Sequence, residues 1–61
     1  MVLMTAPDAD TARRFRHGQA VPSPLPDGVG RLAVFGPDDD LIGLAEPPSG
    51  GRLRASVVLP R

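Results

Sequence analysis

Short apolar runs separated by proline and glycine dominate the chain. These runs predict strands at 2–5, 19–21, 30–36, 41–46 and 52–60. The runs GRLAVFG and LIGLAE flank the loop GPDDD, which has proline at a turn position, so we expect them to form a hairpin. The last run alternates Arg, Leu and Arg and then becomes continuously apolar, which predicts that its end is buried on both faces.

One helix is predicted over residues 9–17. Asp8 is a favourable N-cap, and Asp10 adds negative charge to the first turn. Gly18 stands where a left-handed C-cap belongs, so the helix is expected to end just before it.

The two faces of this helix differ in character. At about 100° per residue, Phe15 anchors a narrow apolar face that also holds Asp8, Thr11 and Ala12. The opposite face carries the positive charge, with Arg13, Arg14 and His17 on it and Arg16 on its flank.

Two loops complete the pattern. PSPLPDG (22–28) has three prolines in five residues and is expected to be stiff and extended, with Leu25 turned inward. PPSGG (47–51) is a second loop. The whole order predicts a mainly β fold with one short α-helix, a small pseudo-barrel with the helix plugging one end.

Composition narrows the class of protein. A chain of 61 residues holds at most one small domain, and without cysteine it has no disulfide to stabilise it. No apolar run is long enough to span a membrane, and the first residues lack the features of a signal peptide, so we expect a cytoplasmic protein. All seven positive charges are Arg, which fits either a GC-rich genome or a use for donors that pair bidentately with phosphate.

Catalytic chemistry is not expected of this chain. Ser23, His17 and Asp27 supply the residue types of a hydrolytic triad, but three such residues in a short chain are most simply a coincidence. No nucleotide-binding fingerprint is present, and PDDD (37–40) lacks the ligand spacing of a calcium loop. We expect no enzyme activity, no cofactor and no metal.

The arginine-rich helix face allows two interpretations. It is a solvated surface if Asp10 pairs with Arg14 and Arg13, four and three residues further on. It is a phosphate clamp if positive potential remains, since one Asp cannot neutralise three Arg.

Three stretches carry a family resemblance: ARRFRHGQAV (12–21), GRLAVFGPDDDLIGLAE (30–46) and GRLRASVVL (51–59). Together they resemble the C-terminal segment of bacterial tRNA pseudouridine synthase B, a PUA-type RNA-binding domain. The resemblance implies that residues 1–61 form a single accessory domain, a fragment of a larger enzyme that isomerises a uridine in the T-loop of tRNA. The catalytic aspartate of that family lies in another domain, so the implied partners are tRNA and the parent catalytic domain, with no DNA and no membrane.

The resemblance also implies where RNA binds. PUA domains meet RNA around their first helix and the glycine-containing turn after it, which here correspond to Arg13, Arg14, Arg16, His17, Gly18 and Gln19. Phe15 and Phe35 are both expected in the core, so recognition of backbone and shape is expected. Where the family's last strand often has proline and basic residues, this chain has Ala55, Ser56 and Val57.

The alternative to an RNA-binding accessory domain is a small protein-interaction or structural domain without RNA binding.

Overall fold

Six strands and one helix make up the computed structural model, which describes residues 2–60. In chain order the elements are β1 (Val2–Thr5), α1 (Ala9–Arg16), β2 (Val21–Pro22), β3 (Leu32–Phe35), β4 (Leu41–Ala45), β5 (Arg52–Leu53) and β6 (Ala55–Val58). The predicted mainly β fold with one short helix is confirmed.

The strands form two sheets around a shared core. The larger sheet has the order β1-β3-β4-β6, with β1 parallel to β3 and the other pairs antiparallel; β2 and β5 form a smaller antiparallel sheet. The predicted hairpin is confirmed as β3 and β4, with Phe35 opposite Leu41 and a register shift between Val34 and Phe35. The larger sheet does not close, and a pseudo-barrel arrangement of the two sheets is compatible with this topology.

Both ends of α1 are capped as predicted. The Asp8 carboxylate accepts a hydrogen bond from the Thr11 N–H at 2.8 Å. At the other end, the Gly18 N–H bonds to the Phe15 carbonyl and the Gln19 N–H to the Arg14 carbonyl, both at 3.0 Å. These two bonds form a Schellman motif, which requires the left-handed φ of +78° that Gly18 adopts.

The core is built where α1 packs on the larger sheet. Its largest fully buried side chains are Phe15, Leu32, Ile42, Val21 and Val34. Gly43 lies under the Phe15 ring: a Cβ there would be 3.0 Å from the ring's Cε2 and would collide with the Val57 carbonyl oxygen. A side chain at this position would therefore have to displace both the backbone of β6 and the Phe15 ring of the helix.

The prediction for the last run, 52–60, is wrong in two respects. The chain leaves the smaller sheet after Leu53 and enters the larger one at Ala55, so the run is two strands. Its end is also not buried on both faces, since Val57 and Val58 are 47% and 39% exposed. The cause is the sheet order, because β6 lies at an edge and pairs with β4 alone.

Three smaller expectations are resolved by the same topology. The strand predicted at 19–21 begins only at Val21 and continues to Pro22. Leu25 is partly buried against the core, as expected. Phe35 was expected in the core but is half-buried, because it pairs with the exposed Leu41 on the opposite side of the sheet from Val34.

Candidate nucleic-acid interface

The exposed arginines of α1 share one carboxylate. Arg13 Nη2 lies 2.7 Å from Asp10 Oδ1, and Arg14 Nε lies 3.1 Å from Asp10 Oδ2. The ion pairs expected from the sequence are therefore formed. Because the two arginine side chains remain 68% and 57% exposed, these pairs contribute little to stability and leave both guanidinium groups accessible to a ligand.

Arg16 has a different environment. Its side chain is only 20% exposed, and its Nη2 lies 3.2 Å from Asp40 Oδ2 in the turn between β3 and β4. Its Nε is buried without a hydrogen-bond partner. The expectation that Asp10 alone offsets the three helix arginines is wrong, because the fold brings a second carboxylate to the helix from the hairpin turn.

The groove between α1 and the hairpin turn is mixed in charge. Arg13 and Arg16 line it, but so do three carboxylates, those of Asp10, Asp38 and Asp40. Its formal charge is therefore −1, two positive charges against three negative, which disfavours a polyanion inside the groove itself.

The turn after α1 is open to solvent. His17, Gly18 and Gln19 are all exposed, and no atom lies within 4 Å of a Cβ placed on Gly18. The N–H groups of all three residues donate to helix carbonyls, so those amides are engaged in the cap. A ligand at this turn would meet the side chains of His17 and Gln19 and the bare backbone of Gly18.

The residues that resembled a hydrolytic triad are engaged separately. The Ser23 hydroxyl donates to the Leu25 carbonyl at 2.8 Å. The Asp27 carboxylate accepts hydrogen bonds from the N–H groups of Gly50 and Gly51 at 2.9 and 3.3 Å. Across residues 2–60, no three histidine, cysteine or acidic side chains are arranged to hold a metal ion. The described part of the chain has no helix that is long and apolar enough to cross a bilayer.

Two further cations were not assigned to the site from the sequence. Arg52 and Arg54 are exposed and line a groove with Ala20, Glu46, Pro47, Ser49 and Leu53. Within residues 2–60 neither makes an ion pair, whereas Arg13, Arg14 and Arg16 each do. The signal in the sequence was the alternation Arg-Leu-Arg, in which Leu53 is buried and both neighbouring arginines are exposed.

The fold and its charges define a small mainly β domain with cations gathered around the end of its helix. Residues 8–59 match the family described as Pseudouridine synthase II TruB, C-terminal. The chain therefore belongs to the family of C-terminal domains of this pseudouridine synthase, an isomerase. The match begins at the N-cap Asp8 and includes α1 and β2 to β6, whereas β1 precedes it. No curated protein and no solved structure gives a significant match.

Proposed function

We propose that this chain is an RNA-binding accessory domain of the PUA type that acts in the cytoplasm. It helps to dock tRNA so that a separate catalytic domain can isomerise a T-loop uridine. Membership of the TruB C-terminal family supports this role. The observation that carries it is the pair of exposed guanidinium groups of Arg13 and Arg14, which share a single carboxylate beside an open turn.

Phosphate competes well for these arginines. Two guanidinium groups against the Asp10 carboxylate leave one net positive charge, and exposed ion pairs exchange readily. A phosphodiester oxygen accepts charge-assisted, often bidentate hydrogen bonds from arginine. In the proposed interface His17, Gly18 and Gln19 lie against the RNA backbone beside them. Arg16 contributes through its remaining N–H groups, in competition with Asp40.

Recognition in this proposal is of backbone and shape. Phe15 is fully buried and Phe35 is half-buried, so neither aromatic ring is presented as a platform for a base. Arginine contacts to phosphate position an RNA helix without reading its bases. Binding by the isolated domain is therefore expected to be weak and strongly dependent on salt.

A salt series of tRNA titrations tests the proposal. If Arg13, Arg14 and Arg16 neutralise three phosphates, these contacts contribute about −2.7 to the slope of log K against log salt, with the B-DNA coefficient of about 0.9 per phosphate. Through these three contacts alone, affinity then falls about 40-fold between about 50 and 200 mM salt. Replacing all three with Gln should make the slope shallower by about 2.7.

A matched pair of single variants controls for charge. Arg14→Gln should make the slope shallower by about 0.9. Arg31→Gln removes the same charge from an exposed position outside the helix and should leave the slope unchanged. If the two variants behave alike, or if the triple variant keeps the wild-type slope, the helix face does not bind the phosphates.

An apolar row on the larger sheet favours a second candidate, a protein-interaction domain that packs on the parent catalytic domain. Leu3, Ala33, Leu44 and Val57 lie opposite one another across all four strands, so their side chains share a face. Leu3 is 66% exposed and Val57 47% exposed. A TruB catalytic domain added to the labelled chain should then shift the amide resonances of this row and spare residues 13–19. If tRNA shifts residues 13–19 and the catalytic domain shifts nothing, RNA docking is the better account.

A further inference from the structure

We propose that Arg52 and Arg54 bind two phosphates of the docked RNA in the groove beside β5. This inference rests on the proposed function and adds a second contact region to it. The groove is defined by Ala20, Glu46, Pro47, Ser49, Arg52, Leu53 and Arg54, and is called the β5 groove below.

The charges of the β5 groove are the first argument. Within residues 2–60, every arginine of α1 already has a carboxylate within 4 Å, whereas Arg52 and Arg54 have none. Glu46 is the one acidic residue that lines the groove, which therefore carries a formal charge of +1. The groove between α1 and the hairpin turn carries −1, so a phosphate is better accommodated in the β5 groove.

The orientation of the two arginines is the second argument. Leu53 is 2% exposed and packs in the core, whereas Arg52 in β5 and Arg54 in the link to β6 are both exposed and line the same groove. The groove thus holds two guanidinium groups from residues two positions apart in the chain. Such a pair suits successive charges on a polymer better than a single small anion.

The backbone under these arginines is held in place, which is the third argument. Ser49 and Arg52 exchange backbone hydrogen bonds of 2.9 and 3.2 Å. The Asp27 carboxylate fixes the N–H groups of Gly50 and Gly51, and the Gly51 carbonyl accepts from the Ser23 N–H at 2.9 Å. A base that is already ordered loses less entropy when a ligand binds.

The β5 groove begins at the residue that follows the turn proposed to meet RNA. Ala20 lines the groove and follows Gln19 directly along the chain. The next residues, Val21 and Pro22, pair with Leu53 and Arg52. An RNA strand that passes the Gly18 turn therefore has Arg52 and Arg54 within the same stretch of surface, which favours a nucleic-acid backbone over an unrelated acidic partner.

The experiment compares three chains in a salt series with a tRNA transcript and with a short RNA duplex. Arg52→Gln combined with Arg54→Gln should make the slope shallower by about 1.8, two phosphates at about 0.9 each. Between about 50 and 200 mM salt, the fold-decrease in affinity should then be about 12 times smaller for the variant than for the wild type. Arg52→Lys with Arg54→Lys keeps both charges and should keep the slope. Unchanged thermal unfolding shows that both variants fold, as expected for exposed side chains.

The outcomes separate the two proposals. If the wild type and Arg14→Gln behave as expected but the double Gln variant binds like the wild type, the β5 groove assignment is overturned and RNA docking stands. If the wild type shows no salt-dependent RNA binding, both proposals fall. If polyglutamate of equal charge displaces tRNA from the wild type as effectively as the RNA duplex does, the groove is a site for acidic protein segments, and the RNA assignment is overturned.

Discussion

Arg16 and Asp40 join the helix to the hairpin turn across 24 positions of sequence, with Arg16 Nη2 3.2 Å from Asp40 Oδ2. The conformation of the turn between β3 and β4 positions Asp40 for this contact. The Gly36 N–H donates to the Asp40 carbonyl at 2.7 Å, and a Cβ at position 36 would come within 2.5 Å of Asp40 Oδ1. Because Gly36 has no side chain, the Asp40 carboxylate has space to orient toward the helix.

A double-mutant cycle on Arg16→Gln and Asp40→Asn should show coupling of about 0.2–1 kcal/mol, the range of partly exposed ion pairs. Arg16→Gln should be the more destabilising single change, because the largely buried stem of Arg16 also packs. Urea unfolding of the four chains measures both effects. Strictly additive free energies would show that the pair contributes nothing to stability.

Phe15→Ala should destabilise the domain by about 3–5 kcal/mol, since it removes a fully buried ring and leaves a cavity. Such a loss is comparable to the whole stability of a small domain. Leu3→Ala is the control, because Leu3 is 66% exposed and should lose little. Both variants are measured by thermal and urea unfolding. An equal decrease in the free energy of unfolding in the two variants would contradict the assignment of Phe15 as the anchor of the core.

Gly43→Ala should destabilise by about 1–3 kcal/mol or more, because the added methyl meets both the Phe15 ring and the Val57 carbonyl. Phe15→Leu in the same chain relieves the ring contact but not the backbone contact, so rescue should be partial. The measurement is urea unfolding of the single and double variants. A Gly43→Ala chain as stable as the wild type would show that the helix and β6 can both move away from β4 at little cost.

The pKa of Asp8 is lowered, first because its carboxylate accepts the Thr11 N–H and also because of the nearby charge of Arg14. Since the folded pKa lies below the unfolded one, the cap contributes fully at neutral pH and is lost as the pH falls through the lowered pKa. Asp8→Asn keeps a capping side chain but cannot titrate. The midpoint temperature of thermal unfolding should therefore decrease less steeply in this variant than in the wild type as the pH is lowered from neutral to strongly acidic values. Equal acid dependence in both chains would mean that the cap is not linked to stability.

No pseudouridine should form when this chain alone is incubated with tRNA. The catalytic aspartate implied for the family lies in a separate domain, and Ser23 and Asp27 are engaged with backbone groups. The assay is detection of pseudouridine in a tRNA transcript, with an intact TruB enzyme as positive control. Turnover by the purified 61-residue chain would overturn its interpretation as an accessory domain.

The local features of the fold could be predicted from short stretches of the sequence. The Asp8 cap, the Gly18 stop and the Phe15 anchor lie within one helix, where residues three and four apart are neighbours. The hairpin followed from two apolar runs around a proline-containing loop. The pairing of Asp10 with Arg13 and Arg14 belongs to the same short range.

Features that depend on near neighbours could be predicted from the residues alone: one capped helix, one hairpin and the mainly β class. Which charges are paired depends on the fold, because Asp40 reaches Arg16 from the hairpin turn while Arg52 and Arg54 have no such partner among residues 2–60. The fold also placed the run after Leu53 in a second sheet and left Val57 exposed at its edge. These outcomes depend on strand order and on long-range loop closure, which no local pattern of apolar and polar residues encodes.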